Sequence, residues 1–444
     1  ERDTLLTRLR GADEAERSEP SAVSRAAAAR VLAYAESCEP GKKLPVSHLV
    51  SKATGGTLVL DASTQEHLEL VRTNDGGTSG SLLAQLDATC TSMGARLLRA
   101  RLLAPSTVTE TIRSRLDEVA FFVENPGLRA DLRARLGRVA DLERLAVKLL
   151  TGRVLPRDLV RLRSTLAELP GIALEIEKSA RALGALGAKV PEALSVAPCE
   201  EALELLTRAL AETPGAKAGD GDVLRDGYDA ELDEARKLAR GGHELLVGLE
   251  AKLREETQIG SLKLKFTRVF GWYIELTKTH VARAPASWRR KQTVATGERY
   301  TNDELDALSD KVAHAEDRLA SRETELYVEL VRSLASHVEA LRERARTIAA
   351  LDVAQALAEV AHTHDYVRPV VDESLLLSLV DARHPVVERV TAAGTFVPND
   401  CRLDATDGAE GEGRARLWLV SGPNMAGKST FMRQVALAVV LAQM

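Results

Sequence analysis

The chain has 444 residues, 45% of them hydrophobic, and a formal net charge of −5. That length suggests roughly three domains, and no apolar run approaches the ~20 residues of a membrane span. The charge gives no global basic excess for nucleic acid, and the cysteines Cys38, Cys90, Cys199 and Cys401 lie far apart with no C-x-x-C pair, so neither zinc nor a disulfide framework is suggested.

Few aromatics and abundant Leu, Ala, Arg and Glu favour helices. In chain order, Ser24 to Glu36 reads as a helix stopped by Pro40 and Gly41, and Leu58 to Leu60 as a brief strand. Asp61 then caps a helix from Ser63 to Val71, and Asn74 to Gly80 carries turn residues. Helices are expected at Ser81 to Leu86 and Ser92 to Leu103, the second ending before Pro105, and short amphipathic helices fill 107–183. Pro and Gly punctuate 184–224 around one helix, Glu200 to Glu212. A longer helix, Tyr228 to Glu256, follows, weakened at Gly241-Gly242.

Residues 260–292 break the helical pattern. Leu262, Leu264 and Phe266 alternate with Lys263, Lys265 and Thr267, the period of a strand, and Trp272 to Leu276 beyond Gly271 reads as its hairpin partner. This window sets eight cations (Lys263, Lys265, Arg268, Lys278, Arg283, Arg289, Arg290, Lys291) against Glu275, a net +7, with five of the fifteen aromatics. A basic β unit suits a nucleic-acid backbone, contacting phosphates rather than bases; the plainer alternative is a strand edge guarded by Lys. Thr301 and Glu304 then read as a capping box. Asp303 to Val360 contains neither Gly nor Pro, and its apolar residues recur by threes and fours. One helix of about 58 residues would span about 87 Å and needs an antiparallel partner, for which Tyr228 to Glu256 is suited.

An α/β unit begins near Tyr366, with a strand at Ser378 to Val380 and His384 read as a structural hydrogen-bonder. Gly422-Pro423-Asn424-Met425-Ala426-Gly427-Lys428-Ser429-Thr430 then fits G-x-x-x-x-G-K-S, with Leu417 to Val420 as a buried strand before it and a helix from Phe431 after it. Glycines admit a phosphate close to backbone N–H groups, and the helix start adds its positive dipole end. Lys428 would reach the β- and γ-phosphates of ATP, and the Ser429 hydroxyl would hold Mg²⁺. The chain starts at Glu1 and ends in the helix after this loop, as a fragment would.

These residues together resemble the MutS DNA mismatch repair ATPases. Gly422 to Leu437 (GPNMAGKSTFMRQVAL) resembles the family's phosphate loop, and Leu82 to Pro105 the start of its core. Phe270 to Lys278 and Arg290 to Thr301 resemble its clamp, and Asp365 to Pro369 and Arg383 to Glu388 its ATPase domain. The resemblance implies a mainly α fold with a helical core, long antiparallel lever helices, a small inserted β clamp and the start of a P-loop, ABC-type α/β ATPase domain. The implied domains are a connector end (1–39), core and first lever (40–256), clamp (257–302), second lever (303–362) and the N-terminal part of the ATPase domain (363–444).

It also implies an ATP-switched grip on double-stranded, mismatched DNA by a cytoplasmic, nucleoid-associated homodimer working with a MutL-type partner. Phe396, with Asn399 nearby, stands where the family stacks adenine, and Lys263, Lys265, Arg268, Lys278, Arg289, Arg290 and Lys291 are the implied DNA contacts. The mismatch-reading domain, Walker B acid and signature loop are not in this sequence, so the chain alone is expected not to turn over ATP. Ala295-Thr296-Gly297 stand where many members carry a Lys-Asn pair. Three other readings fit less well, one of them a non-catalytic scaffold with a decayed ATPase, against which the intact Gly427-Lys428-Ser429 argues. An SMC-like coiled-coil ATPase places its phosphate loop ahead of the long helices, and a MutS-type protein of recombination control lacks the clamp.

Overall fold

A computed structural model describes residues 22–38, 55–184, 191, 194–267, 271–294, 297–391, 396–406, 415–423 and 427–444. The chain is mainly helical with a small antiparallel sheet and divides into two compact units. One comprises Glu1–Arg144, Glu168–Pro198 and Ala340–Met444, the other Leu145–Ala167 and Cys199–Glu339.

Caps set most of the early helix starts. After α1 (Ala22–Cys38), Asp61 accepts the Thr64 N–H at 2.7 Å and starts α2 (Ala62–His67). Ser81 starts α3 (Leu82–Leu86) and Thr91 starts α4 (Ser92–Leu103), each hydroxyl accepting an N–H three residues on. The strand expected at Leu58 is only a bridge, Thr57 to Ser106, because one short crossing with 105–107 is all the ladder available among the described residues. Then come α5 (Thr109–Val123), α6 (Pro126–Leu136), α7 (Leu142–Leu150), α8 (Pro156–Gly184) and α9 (Glu200–Ala209).

Asp229 caps α10 (Ala230–Thr257), which runs unbroken through Gly241 and Gly242. The Gly242 position is a packing requirement, since a Cβ there would lie 2.5 Å from Val312 Cγ2 on the antiparallel partner. Four strands follow, β1 (Lys263–Thr267), β2 (Gly271–Thr277), β3 (Arg289–Val294) and β4 (Gly297–Thr301), with a 3₁₀ turn at Lys278–Arg283. They form one antiparallel sheet in the order β1-β2-β4-β3.

Two expectations fail in the next helix. Its N-cap is Asn302, whose side chain accepts the Leu305 N–H at 2.7 Å, while Thr301 ends β4 and Glu304 pairs with Lys252 at 2.9 Å. No capping box forms, because pairing with β3 holds Thr301 in the sheet. Nor is there one helix of 58 residues: α11 (Asp303–Ala335) and α12 (Val338–Thr363) are separated at Ser336 and His337. There the N–H groups of Ser336 and His337 turn back three residues, to Ser333 and Leu334, and the Ser336 hydroxyl also donates to the Ser333 carbonyl.

The C-terminal part contains β5 (Leu376–Ala382), α13 (Val387–Val390), β6 (Asn399–Asp404) and α14 (Lys428–Gln443), with β5 and β6 antiparallel. The buried strand expected at Leu417 to Val420 does not form. That stretch has no regular secondary structure and pairs with no described strand, and Leu417 and Leu419 are 83% and 94% exposed.

Each unit has its own core. In one, Leu70, Leu82, Leu98 and Leu102 pack with Val353 of α12 and with Leu437, Val440 and Met444. At its centre lies a buried carboxylate, Asp352, which accepts from the Cys90 N–H (2.9 Å), the Thr91 N–H (2.7 Å) and the Thr91 hydroxyl (2.6 Å). In the other, Leu246, Leu249 and Leu253 of α10 meet Leu305 and Val312 of α11 beneath Ile274, Leu276, Trp288 and Tyr300 of the β unit. Each such leucine contributes about 1.5–3 kcal/mol by burial, so the small sheet is fused to the end of the helix pair.

Candidate functional site

The glycine-rich loop leads into α14. Gly422, Pro423 and Gly427 to Thr430 are described; Asn424, Met425 and Ala426 lie outside the described residues. Gly427 is the N-cap of α14 with φ +80°, a left-handed conformation that favours glycine, and has no side chain to satisfy the first-turn N–H groups. Those donors, with the helix dipole behind them, fit a phosphate. Lys428 is the first helical residue and its Nζ donates to the Gly422 carbonyl, which turns the ammonium back toward Gly422. The Ser429 side chain, beside it, is the hydroxyl available to Mg²⁺.

Contacts along α14 hold that N-terminus in place. Arg433 pairs with Glu69 at 3.4 Å, and buried Gln434 donates from Nε2 to the Ala382 carbonyl at 2.8 Å. At the far end the Ser106 N–H donates to the Gln443 carbonyl (2.8 Å) and Arg115 Nη1 to the Met444 carbonyl (2.7 Å). Trp418 stacks on Phe431, with ring centroids 6.2 Å apart. His384 is structural, as expected. Its Nδ1 accepts the Val386 and Val387 N–H groups at 3.3 and 3.2 Å at the start of α13, and burial first, then the Arg433 charge, lowers its pKa. Phe396 is half-buried three residues before β6, and exposed Asn399, which opens that strand, donates to the Val397 carbonyl at 3.0 Å.

In the β unit, pairing places Lys263, Lys265, Glu275, Tyr273, Arg299 and Arg289 on one sheet face, because residues opposite one another share a face. The other face carries Leu264, Ile274, Leu276 and Tyr300 to the core. Burial and the Glu298 carboxylate push the Tyr300 hydroxyl up to about 12.

Of the expected DNA-contact cations, Arg268 lies outside the described residues. Lys263 and Lys278 are exposed and make no ion pair among the described residues. The others are paired internally: Lys265 with Glu275 (2.9 Å), Arg290 with Glu298 (3.4 Å) and Lys291 with Asp306 (3.5 Å). Arg289 splits its guanidinium between Asp303 and Asp306, both at 2.5 Å. Arg283 donates to the Thr257 and Gln258 carbonyls at the end of α10. Extending the basic window to Asp306 brings its net charge from +7 to +4.

Sequence reasoning passed over Arg299, whose guanidinium lies 4.5 Å from the Tyr273 ring centroid and donates to Gln292 Oε1 at 2.7 Å. It also passed over Asp303 and Asp306 as partners of the basic strand. Their place two and five residues after β4 was a signal, since a helix start returns such acids toward the strand that precedes it.

Family models for MutS domain III and MutS domain V match residues 63–358 and 418–444. Proteins named DNA mismatch repair protein MutS are similar to the chain over most of its length. The one from Sorangium cellulosum is 50% identical over 442 residues, 94% of this chain and 47% of that protein. Those from Symbiobacterium thermophilum and Salinibacter ruber are 41% and 42% identical, covering 95% and 87% of this chain and 47% and 41% of those proteins. The chain spans about half the length of the curated relatives it matches.

Proposed function

The chain belongs to the MutS family, and from that premise we propose that it is the core, lever and clamp part of a protein that recognises DNA mismatches and starts their repair, with a grip on DNA switched by ATP. The assigned domains are a connector end (1–39), the core and first lever (40–256), the clamp (257–302), the second lever (303–362) and the first part of a P-loop, ABC-type ATPase domain (363–444). In the full-length protein the activity is hydrolysis of ATP to ADP and phosphate, in a cytoplasmic, nucleoid-associated homodimer that works with a MutL-type partner. No helix among the described residues is long and apolar enough to cross a membrane.

One observation carries the nucleotide part: a glycine-capped helix opens with Lys428 and is fastened along its length. A fixed N-terminus presents N–H donors to a phosphate without reorganising at the moment of reaction. Gly422 to Thr430 line the phosphates, Lys428 neutralises charge developing on the γ-phosphate, and Ser429 holds Mg²⁺. Phe396 stacks the adenine, with Asn399 beside it. Mg²⁺-bound ATP supplies the phosphoanhydride bond that is cleaved. On the clamp, Lys263, Lys265, Arg268, Lys278, Arg289, Arg290 and Lys291 face the backbone of double-stranded DNA. That clamp separates this reading from a recombination-control relative, which lacks one.

Lys428→Ala in the full-length protein tests the assignment. ATP binding weakens and turnover is lost, while the thermal midpoint stays close to that of the parent. Steady-state turnover equal to the parent's removes the loop from the reaction.

A further inference from the structure

The cations of β3 are already satisfied by carboxylates of their own chain. Arg289 offers two N–H groups to two acids, Nη1 to Asp303 Oδ1 and Nη2 to Asp306 Oδ2, and Lys291 Nζ reaches Asp306 Oδ1 at 3.5 Å. A guanidinium divided between two anions has the fork geometry that also binds phosphate oxygens. The site is open to solvent: the Arg289 side chain is 57% exposed and that of Asp303 90%. Asp303 and Asp306 lie in the first turn of α11, where the helix dipole favours negative charge whether or not Arg289 is present. Lys263, on the same sheet face as Arg289, stands opposite Glu275 but forms no ion pair among the described residues, Glu275 pairing with Lys265 instead.

We propose that Asp303 and Asp306 stand in for DNA phosphates in the free protein, so that Arg289 and Lys291 are latent phosphate ligands whose release sets how tightly the clamp holds a duplex. This rests on the clamp reading above. Binding through these two cations exchanges one anion for another, whereas binding through Lys263 and Lys278 releases counterions. The acids therefore lower both the affinity for DNA and its dependence on salt.

The test is duplex binding by the full-length protein over a salt series. Asp303→Asn combined with Asp306→Asn frees both cations. Affinity should rise roughly tenfold or more at 0.1 M salt, and the slope of log affinity against log salt should steepen by about two units. Asp306 also accepts the Thr301 hydroxyl at 2.5 Å; Asp303→Asn alone leaves that bond intact and should move both quantities in the same direction by less. Asp310→Asn, on the same helix, removes one negative charge without freeing a cation, and its slope should stay parental. If Asp310→Asn matches Asp303→Asn, or if the double variant keeps the parental slope, the inference is overturned. Lys263→Ala with Lys278→Ala checks the clamp reading separately. A shallower slope there, with no change in the Asp variants, overturns the inference alone; a slope that no variant moves overturns both.

Discussion

The Glu323 carboxylate accepts the Gly221 N–H at 2.7 Å, from the middle of α11 into a loop about a hundred residues earlier in the chain. The same carboxylate accepts the N–H groups of Gly219 (3.0 Å) and Val223 (2.9 Å), and Arg236 Nη2 lies 3.7 Å away. Gly219 and Gly221, at φ +94° and +90°, let the loop curl around the two oxygens. Glu323 is fully buried, so the nest has no water to replace it.

Glu323→Ala should therefore cost about 3–5 kcal/mol, because several backbone N–H groups lose their acceptor and Arg236 a nearby counter-charge at a buried site. Glu323→Gln should cost less, since one acceptor oxygen remains. Urea unfolding of the two variants measures both; a midpoint unchanged in the alanine variant would show that the loop repacks without the carboxylate.

The two adjacent glycines of α10 should respond in opposite directions. Gly242→Ala drives a Cβ to 2.5 Å from Val312 Cγ2 and should destabilise by about 1–3 kcal/mol as the helix pair is forced apart. Gly241 has nothing within 4 Å of an added Cβ, so Gly241→Ala should stabilise by about 0.5–1 kcal/mol through helix propensity. Thermal melts of the pair decide it, and equal shifts would contradict the packing.

Phe396→Ala should weaken ATP binding by about 1–3 kcal/mol if the ring stacks on the base as aromatic platforms do elsewhere. Calorimetric titration of the full-length protein reads this directly. An unchanged dissociation constant takes Phe396 out of the nucleotide site and leaves the Lys428 assignment standing.

Asp229 gives a pH signature. The bond from Arg322 first, then the Leu232 N–H that Asp229 caps, hold its carboxyl below the ordinary 3.8. A depressed folded pKa contributes stability above the unfolded value, which is lost as pH falls through the folded one. Asp229→Asn should thus melt below the parent at pH 7, and the difference should shrink below about pH 4. A gap that persists at pH 2 would assign the effect to shape rather than charge.

What could be read from the sequence was local. The helix after Gly427, the β1–β2 pairing at Gly271 and the partnership of α10 with the following helix all follow from residue patterns read segment by segment. The break at Ser336 was not legible, since Ser and His are tolerated in helices and the cause is a hydroxyl turned back on its own backbone. Leu417 to Val420 is apolar enough for a strand, but a strand also requires a ladder, which no described neighbour provides. The neutralisation of Arg289 fell outside the basic window because its acids come from the next element; only a window carried on to Asp306 counts them. Glu323 and Asp352 did leave a trace: each interrupts an otherwise apolar helix face, Glu323 between Leu319 and Leu326, and Asp352 between Ile348 and Ala356.

Asp352 also dictates an order of events during synthesis. The acceptor for the Cys90 and Thr91 N–H groups lies 261 residues beyond Thr91, and at about 5–20 residues per second a ribosome needs roughly 13–50 s to reach it. For that interval the start of α4 lacks its buried counter-charge, while the whole of the other unit, which ends at Glu339, has already been made. The unit that includes Asp352 and runs on to Met444 must close last, whereas the other, complete at Glu339, can fold first. Nascent chains halted before residue 352 should accordingly be cut by protease near Cys90 and resist it between α10 and α11.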